Sequence, residues 1–292
     1  MKRQWLGLVV GQEGLYGVQC SKRKESVQVQ NAYYWPRKNS IAKDCKDFLH
    51  RYSLEDTYLS VAYEEEVPMT VTVIPHMKPW EVREMLQCQV EDFFPHDTAT
   101  YTYDFSVTAL PEPELENKKE DLLFLVCMRR DVLKELTKGL ESGEGLLKFV
   151  SFWPSVLYHD PVYKEGVYLV CYERGTSLYM YALMKGLCLW HTEIRGSNRN
   201  EAIQEAFNEI ETMCTHVRKP GIEGVQYWSV DVGQEEPAWW QFWKEKYGQA
   251  QGLSLQVASK AQSICQLNQL QWQVAIQLAL QGMNRSDYVH IY

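Results

Sequence analysis

The sequence predicts an α/β protein of two lobes facing each other across a cleft, with an α+β subdomain inserted into the first. Two observations carry this. The order β-β-β-α-β runs from residue 5 to residue 63 and recurs from 167 to 232, with Leu15-Tyr16 falling at Leu178-Tyr179 and the turn Gly11–Gly14 at Arg174–Ser177. Between the repeats lies a stretch of different character, three strand-like runs around the helical pattern Pro79–Phe93. The expected division is 1–165 for the first lobe, including the insert at about 69–147, and 166–292 for the second.

Trp5–Val10 and Leu15–Cys20 flank the glycine-containing turn Gly11–Gly14 and read as a hairpin; Ser26–Ala32 alternates as a third strand. Ser40 stands before Ile41, Cys45, Phe48 and Leu49, the signature of a capped amphipathic helix, and Tyr58–Tyr63 is a strand. Met69–Ile74 is a strand ended by Pro75. Pro79 then opens a helix with Glu81 and Glu84 near its positive end, and Val82, Met85, Leu86, Val90 and Phe93 share one face. Tyr101–Val107 and Leu122–Met128 read as strands, the second fully apolar, separated by the acidic, proline-containing loop Pro111–Asp121. Arg130–Glu141 is helical and stops at Gly143 and Gly145. In the second half, Val167–Cys171, Leu178–Leu183 and Leu187–Ile194 form another three-strand set. A helix over Arg199–Val217 follows, capped by Asn198, then a strand Val225–Val232, a helix Ala238–Tyr247, a short strand Leu253–Val257 and a closing helix Asn268–Gln281.

Composition limits what such a protein does. The 292 residues are 45% hydrophobic and 23% charged, ordinary for a folded globule with a single substantial core. A formal charge of −8 argues against a nucleic-acid binder working through a strong positive field. The eight cysteines form no CxxC pair and sit mostly in apolar runs, as buried reduced thiols of a cytosolic protein do. No secretory leader and no apolar run of membrane-spanning length is visible, so the expected location is cytoplasmic, with the membrane reached only through a partner.

The chemistry-bearing motifs are sparse. The seven histidines contain no HExxH or close ligand pair, so no metal site is expected; there is no GxSxG elbow and no catalytic residue stands out. Gly11 and Gly14 in the first turn, and Gly175, Thr176 and Ser177 in the second, are placed to cradle phosphate through backbone N–H groups, or simply to turn the chain; Glu13 would repel an anion at the first. Four aromatics in the five positions Trp239–Trp243 cannot share one helix face, so part of that cluster covers another segment or a partner.

The duplicated plan is that of the actin, Hsp70 and sugar-kinase superfamily, with its ribonuclease H-like halves. Within it, the sequence resembles the PilM-type family, the actin-like cytoplasmic proteins of type IV pilus assembly. The resemblance rests on Ile74-Pro75, Glu84, Glu91, Phe93-Phe94-Pro95 and Asp104-Phe105, then on Leu122–Met128 with its following helix, and on the closing segment Val274–Leu280. The cytoplasmic part of GspL-type secretion proteins is a relative of the same fold. The resemblance also shows departures. Nucleotide-binding members end the first strand in Asp-x-Gly, where this chain has Val9-Val10-Gly11. Tyr172 stands at the second Asp position, Tyr16 at a lysine, Asp231-Val232-Gly233-Gln234 at a Gly-Gly turn, and Gln277 and Gln281 at the closing Gly and Arg. Without those carboxylates, magnesium-assisted hydrolysis is not expected.

The resemblance therefore implies an adaptor or scaffold in a type IV pilus or related secretion machine, a pseudo-ATPase that binds the cytoplasmic tail of a bitopic inner-membrane protein. The alternative is a nucleotide-binding or ATP-hydrolysing enzyme of the same superfamily. Gly11, Gly14, Gly175, Thr176, Ser177 and Gly233 are the candidate remnants of a nucleotide cleft, which would hold ATP and magnesium only in that alternative. For the partner, the expected groove runs along strand edges at Tyr58, Tyr63, Met69 and Ile74 and the start of the following helix at Trp80, where an extended tail would add main-chain hydrogen bonds.

Overall fold

The computed structural model describes residues 5–23, 26–64, 68–93, 99–110, 119–152, 166–174, 176–184, 187–196, 199–217, 219, 221–229, 238–248, 256–257 and 270–284. The first hairpin is β1 (Trp5–Val10) and β2 (Gly14–Arg23), continued by β3 (Ser26–Pro36), α1 (Ile41–Arg51) and β4 (Tyr58–Tyr63). Ser40 caps α1 as expected, its hydroxyl accepting from the Lys43 N–H at 3.4 Å. A strand that the alternation did not reveal, β8 (Leu146–Phe152), pairs parallel with β4. With the two-residue β13 (Gln256–Val257) on the far edge, the sheet order is β13-β3-β2-β1-β4-β8.

Both faces of this sheet are covered, which is why β1 is buried along almost its whole length instead of alternating. On one face lies α1, with Phe48 seated over Gly17; α3 (Arg130–Ser142) packs beside it so closely that a Cβ on Gly139 would stand 2.5 Å from the Ala42 carbonyl oxygen. On the other lies the last helix, α6 (Leu270–Asn284). A Cβ on Gly7 would come within 1.8 Å of the Ala275 carbonyl oxygen, so α6 rests directly on the β1 backbone.

The second lobe repeats the ladder. β9 (Val167–Arg174), β10 (Ser177–Met184), β11 (Leu187–Arg195) and β12 (Ile222–Ser229) form the order β11-β10-β9-β12, matching β3-β2-β1-β4. The helix α4 (Asn200–His216) crosses this sheet. Arg199 occupies its N-cap position without a side-chain cap, and Asn198 lies outside the described residues. The aromatic helix α5 (Ala238–Tyr247) buries Trp240 and Trp243 against β12 and α4, with Trp243 stacked on Phe207, and leaves Phe242 exposed. The cluster thus covers its own lobe.

The insert is a three-stranded antiparallel sheet, β5 (Met69–Pro75), β6 (Tyr101–Ala109) and β7 (Glu120–Arg129), in the order β5-β7-β6. Leu123, Leu125 and Cys127 on one face of β7 meet Val82, Leu86 and Val90 of α2 (Pro79–Phe93), a small core of its own. Leu122, Phe124, Val126 and Met128 on the other face join the main core. This is the inserted α+β subdomain that the sequence predicts.

Candidate functional site

The two hairpin turns lie at equivalent places. Val9 pairs with Tyr16 in the first hairpin and Tyr172 with Tyr179 in the second, in the same register. Neither strand end offers a carboxylate where the nucleotide-binding pattern has one. Val9 is fully buried, and Tyr172 stacks on Tyr179 at 4.7 Å between ring centroids and on Tyr181 at 5.9 Å.

Charged side chains from elsewhere hold both turns. The first is closed by the Gly11 N–H donating to the Gly14 carbonyl at 2.9 Å. Arg37, just past β3, donates its main-chain N–H to Glu13 O at 2.9 Å and its guanidinium Nη1 to Gly11 O at 3.2 Å. Asp44, fully buried at the start of α1, fixes the loop that carries Arg37 by accepting from the main-chain N–H groups of Lys38 and Asn39, both at 3.0 Å. From the end of β4, the buried carboxylate of Glu64 presses on Gly11, where an added Cβ would sit 2.3 Å from Oε2; Gln271 of α6 donates to its Oε1 at 3.3 Å. Gly14 is crowded by Tyr34 in the same way.

In the second turn Arg199 takes the clasping role. It donates to Thr176 O at 2.9 Å, to Gly196 O at 2.6 Å and to the Glu173 carboxylate at 2.6 Å, which also accepts from the Tyr227 hydroxyl at 2.7 Å. The Thr176 side chain is exposed, while the Ser177 hydroxyl donates to Glu193 at 2.6 Å. Arg195, with Ser177 and Tyr179 as further donors, holds the Glu193 carboxyl well below the usual range, at about 2. An anion brought to Ser177 would meet an ionised carboxylate. Gly175 and Gly233 lie outside the described residues.

No local pattern points to Arg37, Glu64, Arg199 or Gln271, because each acts from a different element than the turn it serves. Among the described residues no group of three metal-ligating side chains occurs, and no helix is long and apolar enough to cross a membrane. Burial pushes the thiols of Cys45 and Cys127 up to about 12 and that of Cys214 to about 11, leaving them protonated.

Of the residues expected to line a partner groove, Tyr58 and Tyr63 stand on no free edge. Tyr58 and Tyr63 are buried on β4, which β1 and β8 flank on both sides, so its main-chain groups are taken and it presents no edge. The expectation of a free edge there is corrected by β8. Met69 and Ile74 lie on β5, which is an edge strand with Met69 half-buried and Ile74 buried; Trp80 is 55% exposed at the start of α2.

No family model and no curated protein matches the chain. Solved structures do. A chain of the PilM–PilN type IV pilus biogenesis complex aligns with a TM-score of 0.64 at 16% identity, over 96% of this chain and 98% of that one. The cytoplasmic domain of EpsL, an inner-membrane component of the type II secretion system of Vibrio cholerae, aligns with a TM-score of 0.53 at 12% identity, over 98% and 97%. At these identities the likeness is one of fold. The chain has an actin-like, two-lobed α/β fold with an inserted α+β subdomain, similar over nearly its whole length to a chain of the PilM–PilN complex and to the EpsL cytoplasmic domain.

Proposed function

We propose that the chain is an adaptor of a type IV pilus or related secretion machine, which holds the cytoplasmic tail of a single-span inner-membrane protein and does not hydrolyse ATP. It would sit on the cytoplasmic face of the inner membrane through that partner. The observation that carries the reading is that both turns, where this fold would otherwise cradle phosphates, are occupied by the chain's own Arg37, Glu64, Arg199 and Glu193. Phosphoryl transfer needs metal-assisted charge neutralisation at that place, and Val9 and Tyr172 supply no ligand. The fold likeness adds the setting, since one similar structure is a pilus biogenesis complex and the other a cytoplasmic domain of a secretion component.

The rival reading, nucleotide binding, is favoured by one feature. Glu64 brings a buried carboxylate to the end of β4, next to the end of β1, where its N–H donates to Val10 O at 2.9 Å. Two measurements separate the readings. Affinity capture from detergent-solubilised inner membranes with the purified chain is expected to recover a single-span protein. Phosphate release from ATP with magnesium is expected to stay at background; activity that vanishes in Glu64→Gln would overturn the adaptor reading in favour of the enzyme.

A further inference from the structure

A cavity of about 820 Å³ opens between the insert and the second lobe. Val71 and Val73 of β5 and Leu122 of β7 line one side, and Trp190 of β11 with Glu205 and Glu209 of α4 line the other. Its volume suits a short stretch of chain or a small ligand. Three features of its wall choose between them.

The first is the β5 main chain. Hydrogen-bonded and non-bonded pairs alternate in an antiparallel ladder. The Cys127 N–H donates to Pro68 O at 2.9 Å and the His76 N–H to Lys119 O at 3.0 Å. In this register Thr70, Thr72 and Ile74 bond to β7, so the N–H and C=O groups of Val71 and Val73 point off the open edge. They have no main-chain partner among the described residues, and both residues line the cavity. The second is apolar: Val73 is 38% exposed and Trp190 half-buried, an incompletely filled seam between two lobes. The third is electrostatic. Glu205 and Glu209 stand one turn apart on α4, an arrangement of like charges that destabilises a helix. Neither meets a lysine or arginine among the described residues, Glu209 accepts only from the Trp190 indole at 3.0 Å, and the lining holds His216 but no Lys or Arg.

We infer that this groove is a strand-addition site for an extended peptide segment with apolar side chains at alternate positions and at least one lysine or arginine, supplied by a membrane partner. The segment pairs with the main chain of Val71 and Val73, fills the apolar seam, and sets its cation against Glu205 and Glu209. A cytoplasmic segment flanking a single membrane span suits this chemistry, because such flanks carry an excess of Lys and Arg. The inference rests on the adaptor reading above and, of the two strands expected to offer an edge, keeps β5.

The test uses the full chain. The cytoplasmic segment of the single-span protein captured from membranes is synthesised, and its binding is followed by titration and amide exchange. The expected segment carries Lys or Arg and protects the amides of Val71 and Val73. Val73→Pro removes an outward N–H that no ladder bond uses, a change edge strands tolerate, and should weaken binding about tenfold, while Val73→Ala keeps the N–H and should lose much less. The pair Glu205→Lys and Glu209→Lys, on the exposed side of α4, should weaken binding by at least about tenfold and flatten its salt dependence. The charge pair still decides the matter if Val73→Pro does not fold. Protection confined to residues 58–63 and 79–82, or binding indifferent to the charge reversal, sinks the groove and leaves the adaptor reading standing. Self-association of the chain abolished by Val73→Pro assigns the edge to a second copy and sinks it also. Capture that yields no single-span protein overturns the adaptor reading, and the inference with it.

Discussion

In the first lobe Val10 faces Leu15 across the hairpin, and in the second Glu173 faces Leu178; the ladders superpose pair for pair. What lies on them does not. Gly7 of β1 corresponds to Val170 of β9 by the same register, since Gly7 pairs with Val18 and Val170 with Tyr181. The first sheet carries α6 directly on its backbone, and the second keeps a buried β-branched side chain at that place. A duplicated ladder therefore does not dictate its covering layer. A single missing Cβ admits a helix to one sheet, and the arginine clasping each turn then comes from whatever element follows the third strand: Arg37 after β3, Arg199 after β11.

Converting one lobe to the other at this position should have the largest effect. In Gly7→Val the new side chain would meet the main chain of α6, with the Ala275 carbonyl oxygen at 1.8 Å and the Ala279 nitrogen at 2.6 Å, and no rotamer change relieves a backbone contact. Overpacking of this kind costs typically ~1–3 kcal/mol, and here the helix must move, so a loss of at least ~3 kcal/mol in denaturant unfolding is expected. Val170→Gly in the second lobe should instead behave as an ordinary loss of buried side chain and added chain entropy. Equal losses from the two variants, or a nearly neutral Gly7→Val, would mean that α6 does not rest on β1.

The arginine clasps offer a sharper comparison with a smaller effect. Arg199 makes three side-chain hydrogen bonds, one of them to a Glu173 carboxylate only 16% exposed. Arg199→Ala leaves that carboxylate with the Tyr227 hydroxyl, so ~2–3 kcal/mol should be lost. Arg37→Ala removes one side-chain bond and keeps the main-chain one from Arg37 N to Glu13, so ~1 kcal/mol is expected. Thermal melts of the two variants check the order; the reverse order would show that the first turn, not the second, is the more tightly bound.

Much of this was legible before the structure. Alternation in Ser26–Ala32, the Ser40 cap and the periodic face of Val82, Leu86 and Val90 depend on neighbours close in sequence, and they marked the repeats and the insert. Of the two strands expected to offer an edge, β4 does not, because the seven-residue segment Leu146–Phe152, directly after Gly145, pairs with it, and that segment carries no strict alternation to mark it as a strand. Without β8, β4 would be an edge. The residues that hold the turns were illegible for a related reason. Glu64 and Gln271 meet across 207 positions, and Arg199 and Glu173 across 26, so their pairing follows from topology and leaves no local pattern.

The smallest effect concerns acid. Tyr16 pairs with Tyr34 in the first lobe where Tyr179 pairs with Glu193 in the second, so the corresponding ladder site titrates in acid in one lobe only. The Arg195 guanidinium, followed by the Ser177 and Tyr179 side chains, holds the Glu193 carboxyl at about 2, below its ordinary 4.5. A carboxyl whose folded value lies below its unfolded value stabilises the protein above the unfolded value; the contribution fades as pH falls from 4.5 towards 2. Because Arg195 is 78% exposed, solvent screens the pair and the contribution should stay under about 1 kcal/mol. Amide exchange read hairpin by hairpin is sensitive enough to see it. On acidification through that window, residues 177–195 should lose protection before residues 14–36. In Glu193→Gln the second hairpin should start less protected at neutral pH and lose less on acidification. If both hairpins loosen together, or if Glu193→Gln keeps the wild-type acid response, the asymmetry between the turns lies elsewhere than in Glu193.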